Sequence, residues 1–185
     1  MDYAKLNDSI IKKVLAAVAL INNPEIDPEI RQLNQEILFR EVGTAIYAKV
    51  YDMNAFDYEI EHTRGVGIDD RYYGLAKIAS GSVSAGSLGL EDQIRSYLDS
   101  TAAKAQQDAT VNARDSGKRT KVTRALSGKE NCEWCERLAN ESPYEGDQIT
   151  SKVFLRHRGC DCQIITEGYR TRNGLLQNYV KPKDR

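Results

Sequence analysis

The sequence predicts an α+β fold: a mostly helical N-terminal region followed by a small β-containing C-terminal module. Three observations carry this. Apolar residues recur at three- and four-residue steps through most of the first 116 positions, the period of helices with one buried face. After Ser116-Gly117 that period gives way to short β-rich runs set between turn residues. All four cysteines of the 185-residue chain fall in this second part. The expected division is a helical region over 1–116 with a candidate hinge at 81–88, a β-containing module over 117–168, and a basic tail over 169–185.

The first helix follows from Leu6, Ile10, Ile11, Val14, Leu15, Val18 and Ile21, which form one broad apolar face. Asn22-Asn23-Pro24 stops it, because proline cannot continue the hydrogen-bond ladder. A second helix has a clean start: Asp27 caps, Pro28 takes the first helical position, and Glu29 favours the positive end of the dipole. Ile30, Leu33, Ile37, Val42, Ile46 and Val50 keep the period to about Tyr51, and an antiparallel pair would bury both stripes. From Asp52 to Gly67 the periodicity fades. Asp69-Asp70 reads as the cap of a short third helix through Tyr73, Leu75 and Ile78. The stretch from Gly81 to Ser87 is linker-like. A long helix from about Glu91 to Asp115 then presents Ile94, Leu98, Ala102, Ala105 and Ala109, an alanine-lined face suited to close packing.

In the module, Lys121 to Leu126 alternate as a strand ended by Ser127-Gly128, and Val153-Phe154-Leu155 and Gln163 to Thr166 are further β-rich runs. The tail from Arg170 to Arg185 has one apolar patch, at Leu175, Leu176, Tyr179 and Val180, and ends in Lys181-Pro182-Lys183-Asp184-Arg185, which is expected to be exposed and mobile.

Hydrophobic residues at 41% and charged residues at 29% are ordinary for a globular protein and too apolar for a disordered one. The longest apolar run, Val14 to Ile21, is far short of the ~20 residues that cross a bilayer, so no membrane partner is expected. The opening residues lack the basic and apolar stretches of a secretory signal, which predicts a reducing compartment and cysteines kept as thiols. Net charge is −1, but residues 1–116 carry 12 basic against 18 acidic side chains, and residues 117–185 carry 14 against 9. Any contact with a polyanion is therefore expected in the second part.

The chemistry-bearing residues cluster there as well. Cys132-Glu133-Trp134-Cys135 and His157-Arg158-Gly159-Cys160-Asp161-Cys162 spell C-x2-C, 21 intervening residues, then H-x2-C-x-C. Zinc takes four nitrogen or sulfur ligands in a tetrahedron, and C-x2-C offers two thiolates at a suitable bite. On an extended segment Cys160 and Cys162 share a face. Two ligand sets compete: Cys132, Cys135 and His157 with one later cysteine, or all four cysteines with His157 hydrogen-bonded to a thiolate. The second leaves no cysteine unexplained and is preferred. A fully occupied, thiolate-rich site is a poor Lewis acid, and no H-E-x-x-H or deaminase pattern is present. The expectation is structural zinc, with no catalytic residue and no enzyme activity.

Other candidates read more simply. A redox use of C-E-W-C lacks the long helix of a βαβ unit. Trp134 reads as a packing residue, His62 as a solvated loop histidine, and Asp57, Glu59 and Glu61 as a solvated acidic face. Ser127-Gly128-Lys129 lacks the glycine-rich lead of a phosphate loop.

The stretch from Arg124 to Gly128, then C-E-W-C-E-R-L-A, Tyr144 and V-F-L-R-H-R-G-C-D-C-Q-I-I, resembles the C-terminal module of phage minor head proteins, the minor capsid or head-morphogenesis proteins related to the F-type protein of Mu-like phages. The shared positions are Gly128, Cys132, Cys135, Leu138, Ala139, Phe154, His157, Cys160 and Cys162, over roughly a quarter of the chain. The resemblance implies a structural virion component in the capsid interior, present in the host cytoplasm during assembly. Its implied partners are the portal or major capsid protein and, non-specifically, packaged DNA. A competing reading is a zinc-containing DNA-binding protein or a nuclease of the His-metal-finger type. It would need a catalytic histidine, for which only His62 remains if His157 serves the metal.

Overall fold

In a computed structural model the chain forms six α-helices and four strands among the described residues, which are 3–61, 70–87, 89–126, 132–155, 162–172 and 175–178. The architecture is α+β: mostly helical, with a small antiparallel sheet near the C-terminus. The helices are α1 (Tyr3–Ile21), α2 (Pro28–Tyr58), α3 (Tyr72–Ala79), α4 (Leu90–Asp115), α5 (Glu133–Asn140) and α6 (Ser151–Phe154). The strands are β1 (Thr120–Ala125), β2 (Tyr144–Glu145), β3 (Gln163–Arg172) and β4 (Leu175–Asn178). Two compact units result, one from Met1–Tyr47 with Gly67–Thr101, the other from Ala48–Val66 with Ala102–Arg185.

The first unit is all helix. Its core takes Ile11, Val14 and Val18 from α1, Phe39 and Ile46 from α2, Leu75, Ala76 and Ala79 from α3, and Ile94, Tyr97 and Leu98 from α4. Asp27 caps α2 as expected, accepting from the backbone N–H of Glu29 at 2.8 Å. Polar side chains then lock the helices together. Buried Gln35 donates to Asn22 Oδ1 at 3.2 Å, Asn22 donates to the Ala79 carbonyl at 2.6 Å, and Tyr97 donates to the Phe39 carbonyl at 3.0 Å.

Two expectations about this unit are corrected. The stripe Ile30, Leu33, Ile37 does not face the core: these residues are 52%, 55% and 52% exposed, because α2 is rotated to bury Gln35 and Phe39. The third helix starts at Tyr72 and has no side-chain cap; Asp70 contributes its backbone carbonyl to the Tyr73 N–H, and Asp69 lies outside the described residues. In the linker-like stretch, Gly81 and Gly86 adopt positive φ, Gln93 donates to the Ala85 carbonyl and Ser82 donates to Gln32.

In the second unit the sheet has the order β2-β1-β3-β4, antiparallel throughout. Val122 pairs with Tyr144 on one side and Thr166 on the other, and Ala125 pairs with Gln163. One core cluster unites Ala103 of α4 with Val122, Leu138, Tyr144, Ile149, Val153, Phe154 and Ile164, with Trp134 packed against it. The alanine face of α4 is buried as expected, at Ala102, Ala105 and Ala109, and Ala113 continues it.

Here α2 runs to Tyr58, past the point where its aliphatic period fades. The helical period persists in other residues: Tyr51, Asn54, Ala55 and Tyr58 are all buried. Their polar atoms are partnered, Tyr58 with Thr110 at 3.1 Å, Tyr51 with Asn112 at 2.8 Å, and Asn54 with Thr166. Burial pushes the Tyr58 hydroxyl up to about 12. The run Val153-Phe154-Leu155, expected as β, is instead the single helical turn α6 with Leu155 extended behind it. Val153 and Phe154 both enter the same core. A strand would have sent these consecutive side chains to opposite faces. Beyond the runs expected as β, β3 continues to Arg172 and Leu175–Asn178 pairs with it as β4, while Lys181 to Arg185 lie outside the described residues.

Candidate metal centre

The C-x2-C motif sits at a helix start that the sequence reading did not anticipate. Cys132 is the N-cap of α5, with extended backbone, and its Sγ accepts from the Cys135 N–H at 3.4 Å. That hydrogen bond draws the exposed Cys132 thiol below its ordinary pKa, with N–H groups of the first helical turn acting in the same direction. Glu133 and Glu136 suit the first turn of a helix electrostatically, while Cys135 and Leu138 face inward. A sequence signal for this helix existed in the 3-residue spacing of Cys135 and Leu138 beside Trp134, but the segment is only eight residues long.

The second half of the motif arrives from the other direction. Cys162 is buried and immediately precedes β3, whose first residue pairs with the last residue of β1. Helix α5 packs on β1. Cys132, Cys135 and Cys162 thus lie close together, and none forms a disulfide. His157 and Cys160, the other candidate ligands, lie outside the described residues, as do Asp161, His62 and the Ser127-Gly128-Lys129 segment. Among the described residues alone, no three His, Cys, Asp or Glu side chains are arranged to hold a metal ion. The three thiols, two at a helix start and a third just before β3, are soft donors of the kind that zinc takes. A fourth ligand would have to come from Cys160 or His157.

Arg124 is the residue whose role here the sequence reading missed. It is 2% exposed, and its guanidinium donates to the carbonyls of Val153 and Leu155 at 3.4 and 3.3 Å. The same group lies 5.7 Å from the centre of the Trp134 ring. One side chain therefore ties the C-x2-C helix to the chain that leads into H-x2-C-x-C. Strand alternation was the available signal, since it puts Arg124 on the same face as Thr120 and Val122. Tyr144 braces the far end of α5, donating to the Leu138 carbonyl at 2.8 Å; burial and neighbouring Glu141 raise its pKa.

The expectation of a basic surface meets a different charge pattern. Arg119 pairs with Glu145 at 3.5 Å and Lys121 with Glu167 at 3.3 Å. Among the described residues of 117–167, Lys118, Arg119, Lys121, Arg124, Arg137 and Lys152 are balanced by Glu133, Glu136, Glu141, Glu145, Asp147 and Glu167. Of the positive excess over 117–185, Arg170 and Arg172 belong to β3 and the remainder lies in residues outside those described. Of the acidic run, Asp57 lines an open cleft of about 380 Å³ with Lys49, Asp52, Met53 and Phe56, where the lysine offsets part of the negative charge. No helix among the described residues is long and apolar enough to cross a membrane. Compared with known proteins, the chain matches no family model, no curated protein and no solved structure.

Proposed function

We propose that this chain is a structural minor head protein of a phage, whose C-terminal module is closed by a structural zinc ion. The observation that supports the reading is that Cys132 and Cys135 of the first half lie close to Cys162 of the second, at one end of the β1–β3 pair. The ligands of this reading are Cys132, Cys135, Cys162 and Cys160 with His157 beside them, or His157 in place of one cysteine. Zinc in such a site supplies a cross-link between distant segments of chain. The chain's own residues prepare for it. Helix α5 presents Cys132 at its positive end, and Arg124, beside the Trp134 ring, donates to the carbonyls of Val153 and Leu155.

The assembly role is that of a scaffold part, acting by binding to portal or shell subunits. The chain would be co-produced with phage portal and major capsid proteins, and the particles separated on a density gradient. A few copies per particle in the capsid fraction are expected. Recovery of all the protein at the top of the gradient, in the presence of assembled particles, would overturn the assignment.

A further inference from the structure

One thiol of the C-x2-C pair faces solvent and the other lies behind it: Cys132 is exposed, whereas Cys135 is 2% exposed. Cys132 stands at the N-cap of α5 with extended backbone, φ −83° and ψ 154°, which brings its side chain back over the first helical turn. There its Sγ accepts from the Cys135 N–H at 3.4 Å, and the two thiols are also hydrogen-bonded to each other, side chain to side chain. Residues three apart at a helix start are neighbours, within the Cα separation that a disulfide spans. Closing this pair stays within one turn of α5. Joining either thiol to buried Cys162 would instead tie α5 to the segment before β3.

We propose that Cys132 and Cys135 are a reversible redox switch: hydrogen peroxide closes them into a disulfide, which withdraws two ligands from the zinc. The zinc part of this rests on the function proposed above. Exposed Cys132 is the thiol that peroxide reaches. Its sulfur takes one peroxide oxygen and becomes a sulfenic acid, while the O–O bond breaks and the other oxygen leaves as hydroxide. The Cys135 sulfur, already beside it, displaces the sulfenic hydroxyl: an S–S bond forms and the S–O bond breaks. Each hydroxide becomes water with a proton from the thiols or, where both sulfurs begin as metal-bound thiolates, from solvent. Two sulfurs are thus oxidised and one peroxide is reduced to two waters. A dithiol reductant reverses the step by exchange, becoming a disulfide itself. Among the described residues the sheet is antiparallel throughout, which is not the βαβ frame of a disulfide oxidoreductase, so the step is internal to the chain.

A stoichiometric amount of hydrogen peroxide added to the full zinc-loaded chain, with a chromophoric chelator present, tests this. Remaining thiols are alkylated before digestion, and the tryptic peptides are weighed. The peptide from Glu130 to Arg137 should escape alkylation and lose the mass of two hydrogens, and a dithiol should return it to the alkylatable form. Zinc should reach the chelator in step with that change, while Cys162 stays open to alkylation. A disulfide joining this peptide to the one that carries Cys162, a pair that stays reduced, or zinc retained by chains whose pair has closed would each overturn the switch and leave the zinc reading standing. A chain that holds no zinc before peroxide is added fails on that reading first and takes the switch with it.

Discussion

The two compact units are stabilised in different ways. The first buries aliphatic and aromatic side chains from four helices, and its polar bonds, such as Tyr97 to the Phe39 carbonyl, supplement a continuous apolar core. The sheet part of the second gathers around a cluster of eight buried residues and Trp134. That part is threaded with polar ties: Arg124 to two carbonyls, Tyr144 to the Leu138 carbonyl, Gln106 to the Ile164 carbonyl and Arg114 to the Ile149 carbonyl. The difference teaches that a small core leans on cross-links. Hydrogen bonds supply about 1 kcal/mol each, and the proposed zinc ion would supply far more.

The sharpest way to break this comparison is to remove a thiol. Cys135→Ser should abolish protection from hydrogen exchange in β1, α5 and β3 while α1 and α3 keep theirs. Equal loss along the whole chain would show that the cross-link is not local. A core truncation comes next: Phe154→Ala should cost about 3–5 kcal/mol in urea unfolding, since a side chain 2% exposed leaves a cavity.

Alkaline titration separates the units by another route. Tyr58 is raised to about 12, so its neutral form is favoured when folded. Its contribution is intact below pH 10, the value for an unfolded tyrosine, and is lost as pH rises towards 12, by about 3 kcal/mol. Tyr58→Phe should remove that part of the alkaline loss, measured as denaturant midpoints from pH 9 to 12. Arg124→Met should cost about 2 kcal/mol through its charged hydrogen bonds, with Arg124→Lys less severe. The smallest effect belongs to the first unit, where Asp27→Ala should lower stability by about 1 kcal/mol through loss of the cap.

Much of the helical architecture was legible because aliphatic spacing and proline stops are local signals. The starts and ends of α1 and α4 and the cap of α2 follow from them. What escaped is where burial uses residues outside the aliphatic set. Gln35 displaces Ile37 from the core, and Tyr51, Asn54 and Tyr58 extend α2 with no Leu or Ile period to mark it. In the module, β1 and the start of β3 were readable from β-branched residues, but α6 was not, because Val153 and Phe154 favour strands and adopt a turn only to reach one shared core. The cysteine spacing identified which residues to watch. The support given by Arg124 was not visible in it, since an arginine in a strand is ordinarily a surface residue.

Native mass spectrometry of the full reduced chain tests the central claim most directly. One zinc ion per chain is expected, retained against weak chelators and lost together with the exchange protection of β1, α5 and β3 in Cys135→Ser. A chain that carries no metal, yet keeps that protection in both forms, would contradict it.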